Sequence, residues 1–218
     1  MCGHEWAAGP DADATSGATT VDAVAACGVG HPLVHTRAQV ASTSQPGLMT
    51  RGRPYGVLMT NNNDAQTLAW LDQQDRMVTQ TVRRHGWVVQ YVLGEGRRPS
   101  FAYTVGLFGL GHPELVVFGL DYQSAMGLLN TVGERVRKNE DIREGQVLSF
   151  DGTDTRVRAE MLPNPGELVF AANRFYQRPD DASVPAFQLT WDVGGAFPGE
   201  RGYSKPAWLQ PKPGEFRA

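Results

Sequence analysis

The chain has 218 residues, of which 41% are hydrophobic and 20% charged, and its formal net charge is −3 at pH 7. This composition is typical of a soluble globular protein, and the nearly neutral charge gives no basic field that would draw it onto nucleic acid or anionic lipid. There is no apolar run of about 18 residues and no basic leader, so we expect neither a membrane span nor a secretion signal. Both cysteines, Cys2 and Cys27, lie near the N-terminus, which favours a cytoplasmic protein.

The first part of the chain differs in composition from the rest. Residues 1–62 are dominated by Ala, Gly, Thr, Ser and Pro and contain no Lys, Ile or Phe. Such a segment buries too little apolar surface to offset the entropy of ordering, so we predict a disordered extension followed by a single domain at 63–218. Alternatively, translation begins at Met49 or Met59 instead of Met1, and the sequence leaves this choice open.

Cysteine and histidine residues of the N-terminal segment could in principle bind zinc. The spacings Cys2-x-His4 and Cys27-x3-His31, with His35 further on, match no established structural zinc site. We therefore predict no metal site, and the sequence identifies no cofactor.

Helical periodicity begins after residue 63. Leu68, Leu71, Val78 and Val82 predict a helix over 64–84, which ends at Gly86 and carries Arg83, Arg84 and His85 in its last turn. A second helix is predicted over 121–138, with Asp121 as its N-cap. Residues 168–176 fit a short helix, although their apolar start would also suit a strand.

Strand-like composition marks most of the other elements. Strands are predicted at 87–93, 101–107, 115–120, 146–150, 155–161 and 186–191. Because short loops join them, we expect antiparallel pairing, and Asp151-Gly152 is a strong hairpin signal. The result is an α+β fold with a largely antiparallel sheet and two main flanking helices, followed by an irregular tail that Trp208 would anchor.

One turn joins the two central strands and carries the most chemically suggestive residues. His112, between glycines and Pro113, is expected at the surface, where it could transfer protons near neutral pH. Glu114 or Asp192 could orient its imidazole and raise its pKa. The competing interpretation is a purely structural turn, since Pro113 fixes the local backbone.

Several segments resemble a bacterial family named domain of unknown function 4262. The resemblance covers about 64–211 and rests on Arg84-His85-Gly86-Trp87, Phe101-Ala-Tyr-Thr-Val-Gly-Leu107, Gly111-His-Pro-Glu-Leu115, Leu128-Leu-Asn130 and Val184-Pro-Ala-Phe-Gln-Leu-Thr-Trp-Asp192 with Phe197-Pro198. It implies a recurrent domain without an assigned activity. Carried over to this chain, it gives the candidate ligand-binding residues Tyr103, Thr104, His112, Gln188, Trp191 and Asp192, with His112 and Glu114 also candidates for catalysis.

The function that we predict is a small-ligand or protein-binding module. The alternative is an enzyme in which His112 acts as a general acid or base with a nearby carboxylate. A third possibility is a structural protein that binds a partner protein through an apolar surface. The chain could also form a homo-oligomer. We do not expect it to bind nucleic acid or a membrane.

Overall fold

A computed structural model describes residues 34–36, 62–179 and 181–217. It contains a seven-stranded sheet in the order β1-β2-β3-β4-β7-β6-β5. The strands are β1 (Val34–Thr36), β2 (Val88–Val92), β3 (Phe101–Val105), β4 (Glu114–Phe118), β5 (Val147–Ser149), β6 (Arg156–Met161) and β7 (Ala186–Trp191). The helices are α1 (Asn62–His85), α2 (Tyr122–Arg137) and α3 (Phe170–Phe175). The predicted α+β class with two main helices is confirmed.

Pairing within the sheet is antiparallel except at two places. The meander β2-β3-β4 and the hairpin β5-β6 are antiparallel, as predicted, and β6 pairs in the same way with β7. The parallel pairs are β1 with β2 and β4 with β7. Since β7 enters between β4 and β6, it joins the meander to the hairpin in one sheet.

Helix signals in the sequence locate the helices well. Asp121 accepts a hydrogen bond from the backbone N–H of Ser124 at 3.0 Å, which confirms it as the N-cap of α2. Gly86 follows α1 with φ of 96°, the left-handed conformation that glycine adopts at low cost. The segment after residue 168 contains helix α3 rather than a strand.

Alternation along the strands gives the sheet two buried faces. On one face α2 packs through Leu128, Leu129 and Val132 against residues such as Val89 and Leu189. On the opposite face α1 and α3 pack through Val78, Ala171 and Ala172, with Phe101 and Val116 among their partners in the strands. Because neighbouring residues of a strand point to opposite faces, this division decides which side chains can meet.

The C-terminal tail is held by a different residue from the one predicted. Trp208 does not anchor the tail, because it is 39% exposed. Gln210 is buried instead, and its side chain forms hydrogen bonds with both the N–H and the C=O of Trp191.

The predicted disordered extension lies outside the described residues except for β1 and the first residue of α1. Among the described helices, none is both long enough and apolar enough to cross a membrane.

Candidate ligand-binding cleft

A cleft of about 420 Å³ lies between the sheet and helices α1 and α3. Its walls are mainly apolar: α1 contributes Trp70, Leu71 and Val78, the sheet contributes Val92 and Phe101, and Phe170, Ala171 and Phe216 complete the lining. The volume falls in the range that accommodates a small organic ligand. The cleft exists because only the C-terminal half of α1 packs closely on the sheet, where Val78 is 2% exposed.

The C-terminal tail closes one end of this cleft with an aromatic ring. Phe216 packs edge-on against Phe101, with ring centroids 5.6 Å apart, and tilts against Phe118 at 5.0 Å. The side-chain amide of Asn164 donates to the carbonyl of Phe216 at 2.9 Å, which holds the tail in place. Phe216 is therefore a fixed part of the wall.

Besides the charged residues Glu95, Arg98 and Arg174, the lining contains three uncharged polar side chains, Gln74, Gln90 and Tyr103. The Tyr103 oxygen accepts a hydrogen bond from the N–H of Ala171 at 3.2 Å, and burial raises the pKa of this phenol to about 12. The phenol consequently stays protonated, and its O–H has no acceptor among the described residues. The Gln74 Oε1 atom is buried and likewise has no partner in the described part of the chain. The cleft thus offers a donor and an acceptor to a bound molecule.

The rim of the cleft exposes large apolar side chains. Trp70 is 39% exposed, Leu93 64% and Phe170 45%. An isolated exposed apolar residue is ordinary, but three around one concavity form a patch of the kind found at binding sites. The side chain of Arg98, also on the rim, has no ion-pair partner among the described residues.

The turn that carries His112 has a different construction from the one predicted. The carboxylate of Glu114 accepts hydrogen bonds from the Thr104 hydroxyl at 2.6 Å and from the backbone N–H groups of Gly106, Leu107 and Phe108 at 2.8, 3.3 and 3.1 Å. Burial raises the pKa of Glu114 to about 7, although all four donors favour its charged form. Glu114 therefore holds the 3₁₀ turn at 107–110 and does not orient the imidazole of His112.

The predicted exposure of His112 is wrong. The residue is 6% exposed, its Nδ1 lies 2.7 Å from the Pro113 carbonyl, and its ring packs against Phe187 with centroids 5.8 Å apart. Burial lowers the pKa of His112, so the predicted upward shift is wrong too. This desolvation outweighs the charge of Asp141 and the backbone hydrogen bonds at Pro113 and Ile142, all of which favour the protonated imidazole.

The other predicted site residues each make a contact elsewhere in the fold. Gln188 Nε2 donates to the Pro211 carbonyl at 2.7 Å, and Trp191 Nε1 donates to the Phe118 carbonyl at 2.9 Å. Asp192 accepts from Arg156 through the backbone N–H at 2.7 Å and through Nε at 2.9 Å. Of the six predicted ligand-binding residues, Tyr103 lines the cleft, and the others do not.

Gly106 links two of the sequence motifs by close backbone contact. Its φ is 132°, and a Cβ atom there would lie 2.4 Å from the Gly86 oxygen and 2.7 Å from the Trp87 Cα. Only glycine lets the end of β3 approach the residues that follow α1 this closely. Close packing therefore requires glycine at position 106, whereas the positive φ after the helix favours it at position 86.

A model of the family described as domain of unknown function (DUF4262) matches residues 81–204, which is more than half of the chain. The chain belongs to the DUF4262 family. No curated protein and no solved structure matches it. The DUF4262 match covers β2 to β7 and all the motifs on which the resemblance rests, so the resemblance is confirmed over residues 81–204.

The cleft extends beyond the part that matches the DUF4262 family. Trp70, Leu71 and Gln74 precede residue 81 and Phe216 follows residue 204, so these lining residues belong to the flanking segments of this chain. None of them lies in a motif from which a site was predicted. The signal that could have found them is the position of Trp70 beside Leu71 and near Leu68 on α1, which extends the apolar surface of the helix.

Metal binding finds no support among the described residues, in which no group of three or more His, Cys, Asp or Glu side chains is placed to hold an ion. Cys2, His4, Cys27 and His31 lie outside the described residues, as does the side chain of His35.

Proposed function

We propose that this DUF4262 protein is a small-molecule-binding module and that its ligand occupies the cleft between α1, α3 and the sheet. The observation that carries the proposal is the combination of apolar walls with Tyr103, which lines the cleft and whose hydroxyl is buried and protonated. Apolar surface supplies affinity, and a small number of buried polar groups fix the orientation of the ligand. The exposed rim residues Trp70 and Phe170 would lose water when the ligand binds.

The enzyme alternative receives less support from the geometry. General acid–base catalysis needs an imidazole within reach of both a substrate and an orienting group. His112 is enclosed by Phe187 and Pro113, and the carboxylates of Glu114 and Asp192 are committed to other donors. No specific observation favours catalysis over binding in the described part of the chain.

A neutral fluorescent probe tests the proposed site. N-phenyl-1-naphthylamine gains fluorescence in apolar surroundings, and we expect saturable binding of one molecule per chain. Replacing Ala171, which is 5% exposed and lines the cleft, by Phe should fill the space and weaken binding at least tenfold. The matched control is Ala69→Phe, on an exposed position of α1 outside the lining, which should bind as the wild type does.

A second variant guards against a loss of folding in Ala171→Phe. Trp70→Ala removes an exposed wall residue and should leave the thermal unfolding midpoint nearly unchanged while weakening probe binding several-fold. Unchanged binding in both folded variants would refute the cleft as the site.

We also propose a cytoplasmic location and leave a homo-oligomer as a possible state. The location rests on the absence of cysteine from residues 28–218, so that the fold needs no disulfide. Fractionation of cells that express the full chain would check the location, and recovery in the membrane or exported fraction would contradict it.

A further inference from the structure

We infer that the ligand of the cleft is an anionic amphiphile, with its apolar body in the cleft and a carboxylate, phosphate or sulfonate in an adjoining polar pocket. The inference rests on the proposed function and specifies the class of molecule bound. It comes from a second concavity, of about 290 Å³, whose lining differs in character from that of the cleft.

The two concavities share a wall. Phe170 and Arg174 of α3 line both of them, so a molecule that leaves the cleft past these side chains enters the polar pocket. Phe170 supplies the apolar part of this boundary and Arg174 the charged part. The change from apolar to charged surface therefore occurs across a single helical turn, which matches the structure of an amphiphile.

The polar pocket has cationic but no acidic groups in its described lining. Its two charged residues are Arg174 and Arg178. Arg174 pairs with Asp75 through Nε and Nη2, at distances of 3.0 to 3.2 Å, which leaves its Nη1 group available to a ligand. The guanidinium of Arg178 has no ion-pair partner among the described residues. Because Asp75 balances the charge of Arg174, the net positive charge of the described lining comes from Arg178, and this charge favours a bound anion.

The polar pocket also contains an uncharged hydrogen-bond donor that could bind an anion. The Oδ1 atom of Asn173 accepts from the Ser183 hydroxyl and from the Val184 N–H, both at 3.0 Å, which leaves the Nδ2 amide as a donor. Gln177 has φ of 50°, the left-handed conformation that ends α3 in a Schellman motif.

The carbonyl groups at the end of α3 do not oppose an anion strongly, because backbone N–H groups already satisfy them. Tyr176 donates to Ala172, Gln177 to Arg174 and Arg178 to Asn173, at 2.9 to 3.0 Å. The side chains of the pocket consequently set its charge.

Two probes with the same aromatic skeleton test the inference on the full chain. The anionic probe is 1-anilinonaphthalene-8-sulfonate, and the neutral probe is N-phenyl-1-naphthylamine, which lacks the sulfonate. We expect the anionic probe to bind at least tenfold more tightly than the neutral one at low salt. Arg178→Gln should remove most of this difference by weakening the anionic probe about tenfold, without changing the neutral probe.

The control variant is Arg201→Gln, an exposed arginine of the tail that lines neither concavity, and it should bind both probes as the wild type does. Inorganic phosphate alone should compete with the anionic probe only at far higher concentration, because it lacks the apolar body. Equal affinity for the two probes, or an equal loss in both arginine variants, would overturn the inference while leaving the cleft intact. Failure of the neutral probe to bind would instead refute the proposed function itself.

Discussion

The Thr104 hydroxyl donates to the Glu114 carboxylate at 2.6 Å and accepts from the Leu115 N–H at 2.9 Å. This pair joins β3 to β4 at the point where the chain leaves for the 3₁₀ turn, and the same carboxylate collects the N–H groups of that turn. The polar residues of the Gly111–Leu115 motif therefore stabilise the fold. A buried carboxylate with this many donors is costly to remove, which gives a structural reason for the motif.

The first prediction concerns the pH dependence that Glu114 contributes. Its pKa is about 7 in the folded chain against an ordinary 4.5, so the folded state holds the proton more tightly. The associated stability is fully present below about pH 4.5 and is lost as pH rises to about 7. At about 1.4 kcal/mol per pKa unit, the loss is roughly 3 kcal/mol.

Urea unfolding of the wild type and of Glu114→Gln between pH 4.5 and 8 measures this effect. The variant cannot ionise, so its stability should lack the decline that Glu114 causes. Glu144→Gln, at an exposed carboxylate, is the control and should follow the wild type. If the Glu114 variant and the wild type showed parallel curves, the raised pKa would be wrong.

The second prediction is that His112 makes the free energy of unfolding depend on pH in the opposite direction. Burial lowers the pKa of its imidazole below 6.5, so the unfolded chain binds the proton more readily. This contribution is present above about pH 6.5 and declines as pH falls below that value. In His112→Asn the free energy of unfolding should therefore fall less on acidification than in the wild type. An enlarged fall would mean that the folded protein stabilises the imidazolium.

The secondary structure could be predicted because its signals are local. Asp121 as a cap, Gly86 after α1 and the Asp151-Gly152 turn each act within a few residues, and periodicity then gives the helices and strands. The position of β7 between β4 and β6 depends on contacts between distant segments. Local patterns do not contain that information.

The predicted site residues do not lie together in the described structure for a related reason. Polar residues in the motifs suggested a shared site, but Thr104 and Tyr103 are consecutive in one strand and point to opposite faces of the sheet. The structure satisfies most of these polar groups with backbone partners, which composition cannot show. The cleft, in contrast, is formed by α1, α3 and the tail together, and no single segment carries its signature.

The third prediction is that Gly133→Ala destabilises the protein, although alanine usually stabilises a helix by roughly 1 kcal/mol relative to glycine. A Cβ at this position would lie 2.8 Å from the Trp87 ring, which is fully buried. Overpacking costs about 1–3 kcal/mol, so we expect a net loss. In a Trp87→Phe background the smaller ring should reduce this loss, and a double-mutant cycle by urea unfolding measures the coupling. Zero coupling would contradict the contact.

The fourth prediction assigns Asp192 to stability. Its side chain is 2% exposed and bonds twice to Arg156, once through the backbone. Asp192→Ala should lower the free energy of unfolding by about 1–3 kcal/mol because it leaves buried donors without a partner. Exposed Asp154→Ala, as a control, should change it by less than about 0.5 kcal/mol. Both variants should bind the probe as tightly as the wild type does. Weaker binding in Asp192→Ala alone would mean that Asp192 contributes to the binding site.

The proposed location of the ligand is tested most directly by the indole N–H signals in ¹H–¹⁵N NMR spectra of the full chain. Trp70 lines the cleft, whereas Trp87 and Trp191 belong to the core on the α2 face of the sheet. On titration with N-phenyl-1-naphthylamine, the Trp70 signal should shift progressively to saturation while the signals of Trp87 and Trp191 stay in place. A shift of the Trp191 signal with an unchanged Trp70 signal would contradict the cleft and place the ligand on the opposite face of the sheet.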